Sequence, residues 1–358
     1  MSNVDQYQER IHAPLRSRGL FLMFVACLLS LAVTPGCVPR ESSAAAWAPS
    51  DVSTDTAQVA TATSAAARKT STPKPPMVFA VIGDYGINNK DERNVSQLVA
   101  SWDPSFIITT GDNYYWTAGQ GGTGTNVYDV TVGAYYGKWL KDISTTGSRM
   151  PVGPAKINAF FPSMGNHEFT STSPKVYTTY FTLPGAGFSN SSGNERYYDY
   201  VQGPIHFFVL DSDSKEPDGS DAASLQAQWL QRQLAASTSP WNIVYFHHAP
   251  YSSDTFHSAK ARMRWPFAAW GADVVISGHD HNYERIMRDG IVYFVNGLGG
   301  GTRRPFGDPI EGSVVRYVDA FGAQRVTATD TTLDFEFINT GGVLVDKFHL
   351  SAEQPPSQ

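Results

Sequence analysis

The sequence predicts an α/β domain built as two packed mixed β-sheets flanked by helices, an α/β/β/α sandwich. Apolar strands repeatedly run into a polar turn, as in MVFAVIGD, FIITTGD, WNIVYFHH and ADVVISGHD. From Met77 to Gly290 strand and helix patterns alternate, and after Gly290 strand-like segments follow one another directly. Alternating βα units build parallel strands covered by helices, whereas consecutive strands build antiparallel ones. Both in one chain imply mixed sheets stacked face to face.

The elements follow in order. Residues 77–83 read as a strand, and 91–102 as a helix because Val95, Leu98 and Val99 recur at helical spacing. Strand 105–110 precedes a long Gly- and Tyr-rich stretch, 113–136. A helix over 221–236 carries Leu225, Trp229, Leu230 and Leu234 on one face and feeds strand 242–247. A helix near 259–270 leads to strand 273–277. IVYFVNGL, RVTATD, TLDFEFIN and GVLVDKFHL then form strands, the last three as an antiparallel meander turning at Asp330-Thr331 and Gly341-Gly342. The domain is bounded at 77–350, with 351–358 as a tail, and no internal repeat or second folded domain emerges.

Two segments precede this domain. In residues 1–37, Arg10, Arg16 and Arg18 are followed by the apolar run GLFLMFVACLLSLAV, the pattern of an export signal. The run is short for a spanning helix, which needs ~20 apolar residues. Cys37 follows Gly36, an arrangement resembling the lipidation site of bacterial lipoproteins, although Thr34 and Pro35 depart from the usual pattern. A retained anchor and cleavage elsewhere stay open. Residues 38–76 form a linker: Ala, Ser, Thr and Pro make up 26 of the 35 positions from 42 to 76, too little apolar surface to offset ordering entropy. The expected product is exported, either held at the cell envelope or secreted, with membrane attachment only through the amino terminus. Oligomeric state is not legible.

Charge and cysteine content narrow the function. The net charge is −6, and because 1–37 and 38–76 each carry +1, residues 77–358 carry −8. That balance argues against a nucleic-acid partner. No cysteine follows Cys37, so the domain has no disulfide framework.

Five short motifs carry the chemistry: GDYG with Asp84, GDNYY with Asp112 and Tyr115, GNHE with Asn166 and His167, VYFHH with His247, and GHDH with His279 and His281. Ligand sites in open α/β sheets lie beyond the carboxyl ends of strands, so these motifs are expected along one edge of one sheet. Together they suit two adjacent metal ions. Two cations ~3.5–4 Å apart acidify water and clamp the oxygens of a phosphoryl group. Holding them that close requires an anionic bridge, for which Asp112 is the candidate. Asp84 and Tyr115 offer oxygen donors, and phenolate suits a small, highly charged ion. His247 and His279 offer imidazoles suited to Zn, Mn or Fe(II), Asn166 a neutral carbonyl, and His281 a donor two residues from His279.

This motif set, over roughly 77–350, resembles the purple acid phosphatases within the calcineurin-like metallophosphoesterases, and GDNYYWTAG is similar to the small tartrate-resistant type. The resemblance implies Fe(III) held by Asp84, Asp112, Tyr115 and His281. It implies a divalent Fe, Zn or Mn held by Asp112, Asn166, His247 and His279. Diesterase-like relatives commonly carry Asp-x-His in the first motif, where this chain has Asp84-Tyr85-Gly86. His167 is expected to face the cleft to bind phosphate or protonate the leaving group. His257 stands ten residues after His247, where plant-type relatives carry one of two substrate-facing histidines; Phe256 occupies the other position, so that match is partial. The implied activity is hydrolysis of small-molecule phosphate monoesters. A diesterase or nucleotidase on the same metals is the alternative, and a non-catalytic surface module the remote one.

Blander readings hold elsewhere. His248 is expected to be structural or to back His247, His206 and His349 to be packing residues, Trp229 to be core, and EPDGSD (216–221) to be a solvated loop and helix start. The Gly-rich NGLGGGTRR, 296–304, allows two readings. It approaches the metal site and offers Arg303 or Arg304 to a phosphate, or it is a flexible turn with solvated charges.

Overall fold

The computed structural model describes residues 74–116, 127–141 and 155–352. The export signal, Cys37, the linker before Lys74 and the tail beyond Ala352 lie outside the described residues. No described helix is long and apolar enough to cross a membrane.

In chain order the strands are β1 (Met77–Ile82), β2 (Phe106–Thr109), β3 (Phe160–Pro162), β4 (Tyr198–Gln202), β5 (Ile205–Val209), β6 (Trp241–His248), β7 (Val274–Gly278), β8 (Tyr283–Arg288), β9 (Ile291–Asn296), β10 (Ser313–Tyr317), β11 (Gly322–Ala328), β12 (Thr332–Asn339) and β13 (Leu344–Ser351). They form two mixed sheets, ordered β13-β12-β11-β1-β2-β3 and β10-β8-β9-β7-β6-β5-β4. In the first, β1, β2 and β3 are parallel and the expected meander of β11, β12 and β13 joins β1 antiparallel. In the second, β5, β6, β7 and β9 run parallel.

Period-two alternation decides which side chains meet between the sheets. Phe207, Tyr245 and Ile276 join the core they share with Phe79, Phe106 and Phe161, while Phe208, Val244, Phe246 and Val275 face the outer core. Phe79 and Phe207 meet edge to face at 5.4 Å, and Tyr283 stacks on Phe337 at 4.1 Å. Such aromatic pairs contribute about 0.5–1.5 kcal/mol each beyond their buried area.

Helix Lys90–Ser101 buries Val95 and Val99 in the shared core, and its first turn is capped by Asn89, whose side chain accepts from the Glu92 N–H. Helix Leu225–Ala236 packs Trp229, Leu230 and Leu234 in the outer core and is capped by Ser224.

Three elements differ from expectation. The second of these helices begins at Leu225 rather than 221, where Ser224 caps it, and the segment before it is only partly solvated: Pro217 and Asp221 are exposed. Glu216 is buried, and Arg196 pairs with both Glu216 and Asp218. The helix expected near 259–270 is two short pieces, a 3₁₀ turn at Ala261–Met263 and a helix at Phe267–Trp270. Pro266 separates them, since proline lacks an N–H and disfavours helical geometry in the residue before it. His349, expected to pack, is half-exposed and pairs with Asp334 at 3.0 Å, whereas His206 is largely buried between Asp199 and Ser237.

Candidate metal centre

The five motifs do not share one sheet, as expected above, but lie where two sheet edges meet. GDYG, GDNYY and GNHE follow β1, β2 and β3 of the six-stranded sheet; His247 is the penultimate residue of β6 and His279 follows β7 of the seven-stranded one. GNHE also leaves a strand, the three-residue β3, too short to register in the sequence pattern. Cross-sheet hydrogen bonds close the seam. His247 Nδ1 donates to the Thr110 carbonyl at 2.8 Å, the His279 N–H donates to Asp84 Oδ2 at 2.9 Å, and Asn296 Nδ2 donates to the Val81 carbonyl at 2.9 Å.

The backbone is strained where the donors sit. Asp84, Asp112 and His279 have φ of 55°, 52° and 70°, the left-handed region that non-glycine residues avoid. Each such residue costs on the order of 1–3 kcal/mol, and sites of this kind are where function maintains strain. Two glycines allow the loops to close. A Cβ on Gly165 would lie 2.2 Å from Asp112 Oδ1, and one on Gly278 would lie 2.5 Å from Asp84 Oδ2. Both immediately precede a donor, Asn166 or His279, so the glycine in each motif is a requirement of close approach.

All seven expected donors are brought together, in two groups. In the first, the Tyr115 hydroxyl lies 3.3 Å from Asp84 Oδ1 and 3.1 Å from His281 Nε2, with His281 Nε2 3.4 Å from Asp84 Oδ1. In the second, His247 Nε2 lies 2.9 Å from Asn166 Oδ1, 3.1 Å from His279 Nδ1 and 3.5 Å from Asp112 Oδ2. Asp112 stands between them: donor atoms of Asp84, Asp112 and His247 all fall within 4.8 Å of one another. The other oxygen of Asp112, Oδ1, is held by the His167 N–H at 2.9 Å.

The donor chemistry fits cations. A carbonyl only accepts, so the contact to Thr110 places the His247 proton on Nδ1, and a 2.6 Å contact to the Thr302 carbonyl does the same for His281. Each Nε2 therefore turns a lone pair inward. His247 Nε2 then faces the Asn166 carbonyl oxygen and the Asp112 carboxylate, acceptor against acceptor, an arrangement that a positive ion reconciles. Burial, reinforced by Asp112 and Asp84, holds the Tyr115 phenol well above its ordinary value of 10.0. Only a strong Lewis acid would displace that proton. Burial also holds His279 well below the usual imidazole range, leaving a neutral ligand. For His281 burial works in the same direction, but the carboxylate of Asp84 outweighs it and the net shift is upward.

Two further imidazoles line the cleft. The His167 ring lies 4.2 Å from Tyr115, its Nδ1 meets Ser171 Oγ at 2.7 Å, and its Nε2 stands 4.0 Å from Asp112 Oδ2. The His257 ring lies 4.3 Å from His279 and 5.5 Å from His281, so the loop histidine reaches the centre. His248 packs 4.5 Å from the His279 ring with Nδ1 bonded to Ser212 Oγ at 2.9 Å, forming a wall of the cluster.

Two carboxylates that sequence reasoning passed over complete the surroundings. Glu168 is fully buried and joins two motif loops, accepting from the Gly165 N–H at 2.6 Å and the Asn113 N–H at 3.0 Å. Burial, with the charge of Asp112, pushes its carboxyl up to about 8. Asp280 is fully buried behind His257, with Oδ1 3.8 Å from His257 Nδ1, and burial pushes it up to about 7. Both lie inside motifs already quoted, GNHE and GHDH, so the available signal was a charged residue next to a donor.

Comparison with known proteins identifies the family. The model of the calcineurin-like phosphoesterase family matches residues 77–283, more than half of the chain. Purple acid phosphatase 15 of Arabidopsis thaliana is 27% identical over 267 residues, covering 64% of this chain and 46% of that protein. The chain spans about half the length of the curated relatives it matches. Among solved structures, a purple acid phosphatase from yellow lupin (Lupinus luteus) seeds superposes with a TM-score of 0.59 at 18% identity, over 77% of this chain and 54% of that one. GAP50, the anchor in the inner membrane complex of Plasmodium, superposes with a TM-score of 0.56 at 16% identity, over 78% and 89%. The chain belongs to the calcineurin-like phosphoesterase family, and its curated relatives there include the purple acid phosphatases.

Proposed function

We propose that the chain is an exported acid phosphatase that hydrolyses small-molecule phosphate monoesters at a two-metal centre. The observation that carries this reading is the pair of inward-facing donor groups sharing Asp112. Asp84, Tyr115, His281 and Asp112 would hold Fe(III), and Asn166, His247, His279 and Asp112 a divalent Fe, Zn or Mn. When bound, the two ions would neutralise phosphoryl charge and acidify water. His167 and His257 stand on the open side of the cluster, where they would orient the phosphoryl group and hand a proton to the departing alcohol. Thr110 and Thr302 fix the tautomers of His247 and His281 through their carbonyls.

GAP50 shares the fold and is described as an anchor, so fold alone does not establish catalysis. What favours an enzyme here is the complete donor set. Asp84-Tyr85-Gly86 in place of Asp-x-His, with Tyr115 three residues after Asp112, favours the monoesterase over the diesterase.

Metal analysis together with hydrolysis of p-nitrophenyl phosphate and its bis-ester across pH tests the reading. The protein is expected to be violet, because phenolate bound to Fe(III) absorbs visible light by charge transfer, and to prefer the monoester at mildly acidic pH. Tyr115→Phe should bleach the colour and weaken the trivalent site. A colourless protein with two divalent ions and an alkaline optimum on diesters would transfer the assignment to a diesterase.

Export rests on residues 1–37. We place the mature terminus at Cys37, lipidated, with 38–76 as a tether. Mass spectrometry of the membrane fraction should yield a diacylglyceryl peptide beginning at Cys37; a soluble exported form with an unmodified terminus beyond it would refute the tether.

A further inference from the structure

The Gly-rich loop after β9 ends in two adjacent arginines with opposite fates. Arg303 is engaged in the fold: its Nη1 donates to the carbonyls of Val318 and Asp319, and its guanidinium covers the Phe321 ring. The guanidinium of Arg304 makes no hydrogen bond or ion pair among the described residues, and its Nε is buried without a partner. An arginine offers five N–H donors in a planar fork, and a donor left unpaired is an unmet demand for an acceptor.

Its position is tied to the metal centre. The Arg304 N–H donates to the carbonyl of His281 at 3.0 Å, so its backbone is anchored on one of the donor residues. Asp254 and Phe306 form an isolated antiparallel bridge, and in that register Phe256 falls opposite Arg304. The guanidinium accordingly lies 3.9 Å from the centroid of the Phe256 ring. Phe256 is 63% exposed and its ring lies 4.8 Å from His257, which itself lies 4.3 Å from His279. Outward from the donors the order is His279, His257, Phe256, Arg304. Stacking on an aromatic face preorganises a guanidinium while leaving its in-plane donors free.

We infer that Arg304, held over the Phe256 ring, is a subsite for a second anionic group on the alcohol part of the substrate, one layer beyond the phosphoryl group being cleaved. The guanidinium is joined to the donor cluster through the rings of Phe256 and His257, which sets Arg304 to meet what the phosphoryl group is attached to. In a domain carrying −8, a free cation beside the cleft also selects for anions. The substrate class is a phosphate monoester whose alcohol bears another phosphate or a carboxylate. This inference rests on the phosphomonoesterase reading.

The test compares the monophosphate and the bisphosphate of propane-1,3-diol, which differ only in the second anion. Wild type is expected to prefer the bisphosphate in kcat/KM, and Arg304→Gln to reduce that preference by roughly 10-fold to 100-fold through KM. Arg304→Lys keeps the charge but not the fork and should recover part of it. Phe256→Ala should erode the preference too, by releasing the guanidinium. Calorimetric titration with propane-1,3-bisphosphonate against propylphosphonate gives a readout independent of turnover and should show the same loss in Arg304→Gln. Equal preference in wild type and Arg304→Gln, or none in wild type, overturns the subsite while leaving the monoesterase reading intact. Absence of hydrolysis of either ester by the metal-loaded wild type defeats that reading instead, and the bisphosphonate titration then decides the subsite alone.

Discussion

Asn166→Ala and His247→Ala proteins are expected to retain about one metal ion per chain and to lose activity by at least ~10²-fold. Both side chains belong to the second donor group: Asn166 Oδ1 and His247 Nε2 face each other at 2.9 Å, whereas the Tyr115 hydroxyl meets Asp84 and His281. The first group, Asp84, Tyr115 and His281, keeps its mutual contacts in either variant. On the proposed assignment, the violet colour expected of the first site should therefore survive while the second site loses its ion. His247→Ala also removes the donor to the Thr110 carbonyl, which leaves a buried acceptor unpaired at a cost of about 1–3 kcal/mol. Asn166→Ala carries no such penalty and is the cleaner test of the partition. Metal content by mass spectrometry, read beside visible absorbance, checks it. Equal loss of both ions from a folded variant would show that the partition is wrong.

His167→Ala should lower kcat by ~10²–10⁴-fold with metal content preserved. The ring is not inserted between donors; it stands against the Tyr115 face with Nε2 4.0 Å from Asp112 Oδ2. The loss should be greatest for substrates with poor leaving groups, which need the proton most. The pH dependence has a definite sign. Burial holds the His167 imidazole below 6.5, although Asp112 pulls the other way. Its charged form therefore accumulates only as pH falls below the ordinary histidine range, and acid catalysis by this group grows in that direction. His257 is shifted downward for the same reason, and its replacement should have the smaller effect because its ring lies against His279 rather than Asp112. Equal losses for good and poor leaving groups would remove the general-acid role and leave phosphate binding.

Much of this was legible in the residues themselves. Four of the five motif strands announce themselves because an apolar run of that length, ending in Gly-Asp or His, has few other uses. The meander was legible because Asp330-Thr331 and Gly341-Gly342 interrupt otherwise continuous strands. All seven donors were named from motif and spacing, and the fold brings all seven together. The strands β4, β8 and β10 were not read, since their Tyr- and Arg-containing segments lack a clean period, and β3 is too short to show one.

Only the tertiary structure decided the rest. The sequence by itself determined which residue types would be offered as donors and in what order, since a strand that must bury its apolar face can leave its donor only at its end. It could not say that those ends belong to two sheets, because strand order is set by contacts between residues far apart in the chain. Nor could it separate Arg303 from Arg304, identical neighbours on one loop. One reaches carbonyls at Val318 and Asp319; the other lies on Phe256, placed opposite it by the bridge between Asp254 and Phe306. A local pattern specifies what a side chain can do, but a partner forty-eight residues away specifies what is left for it to do.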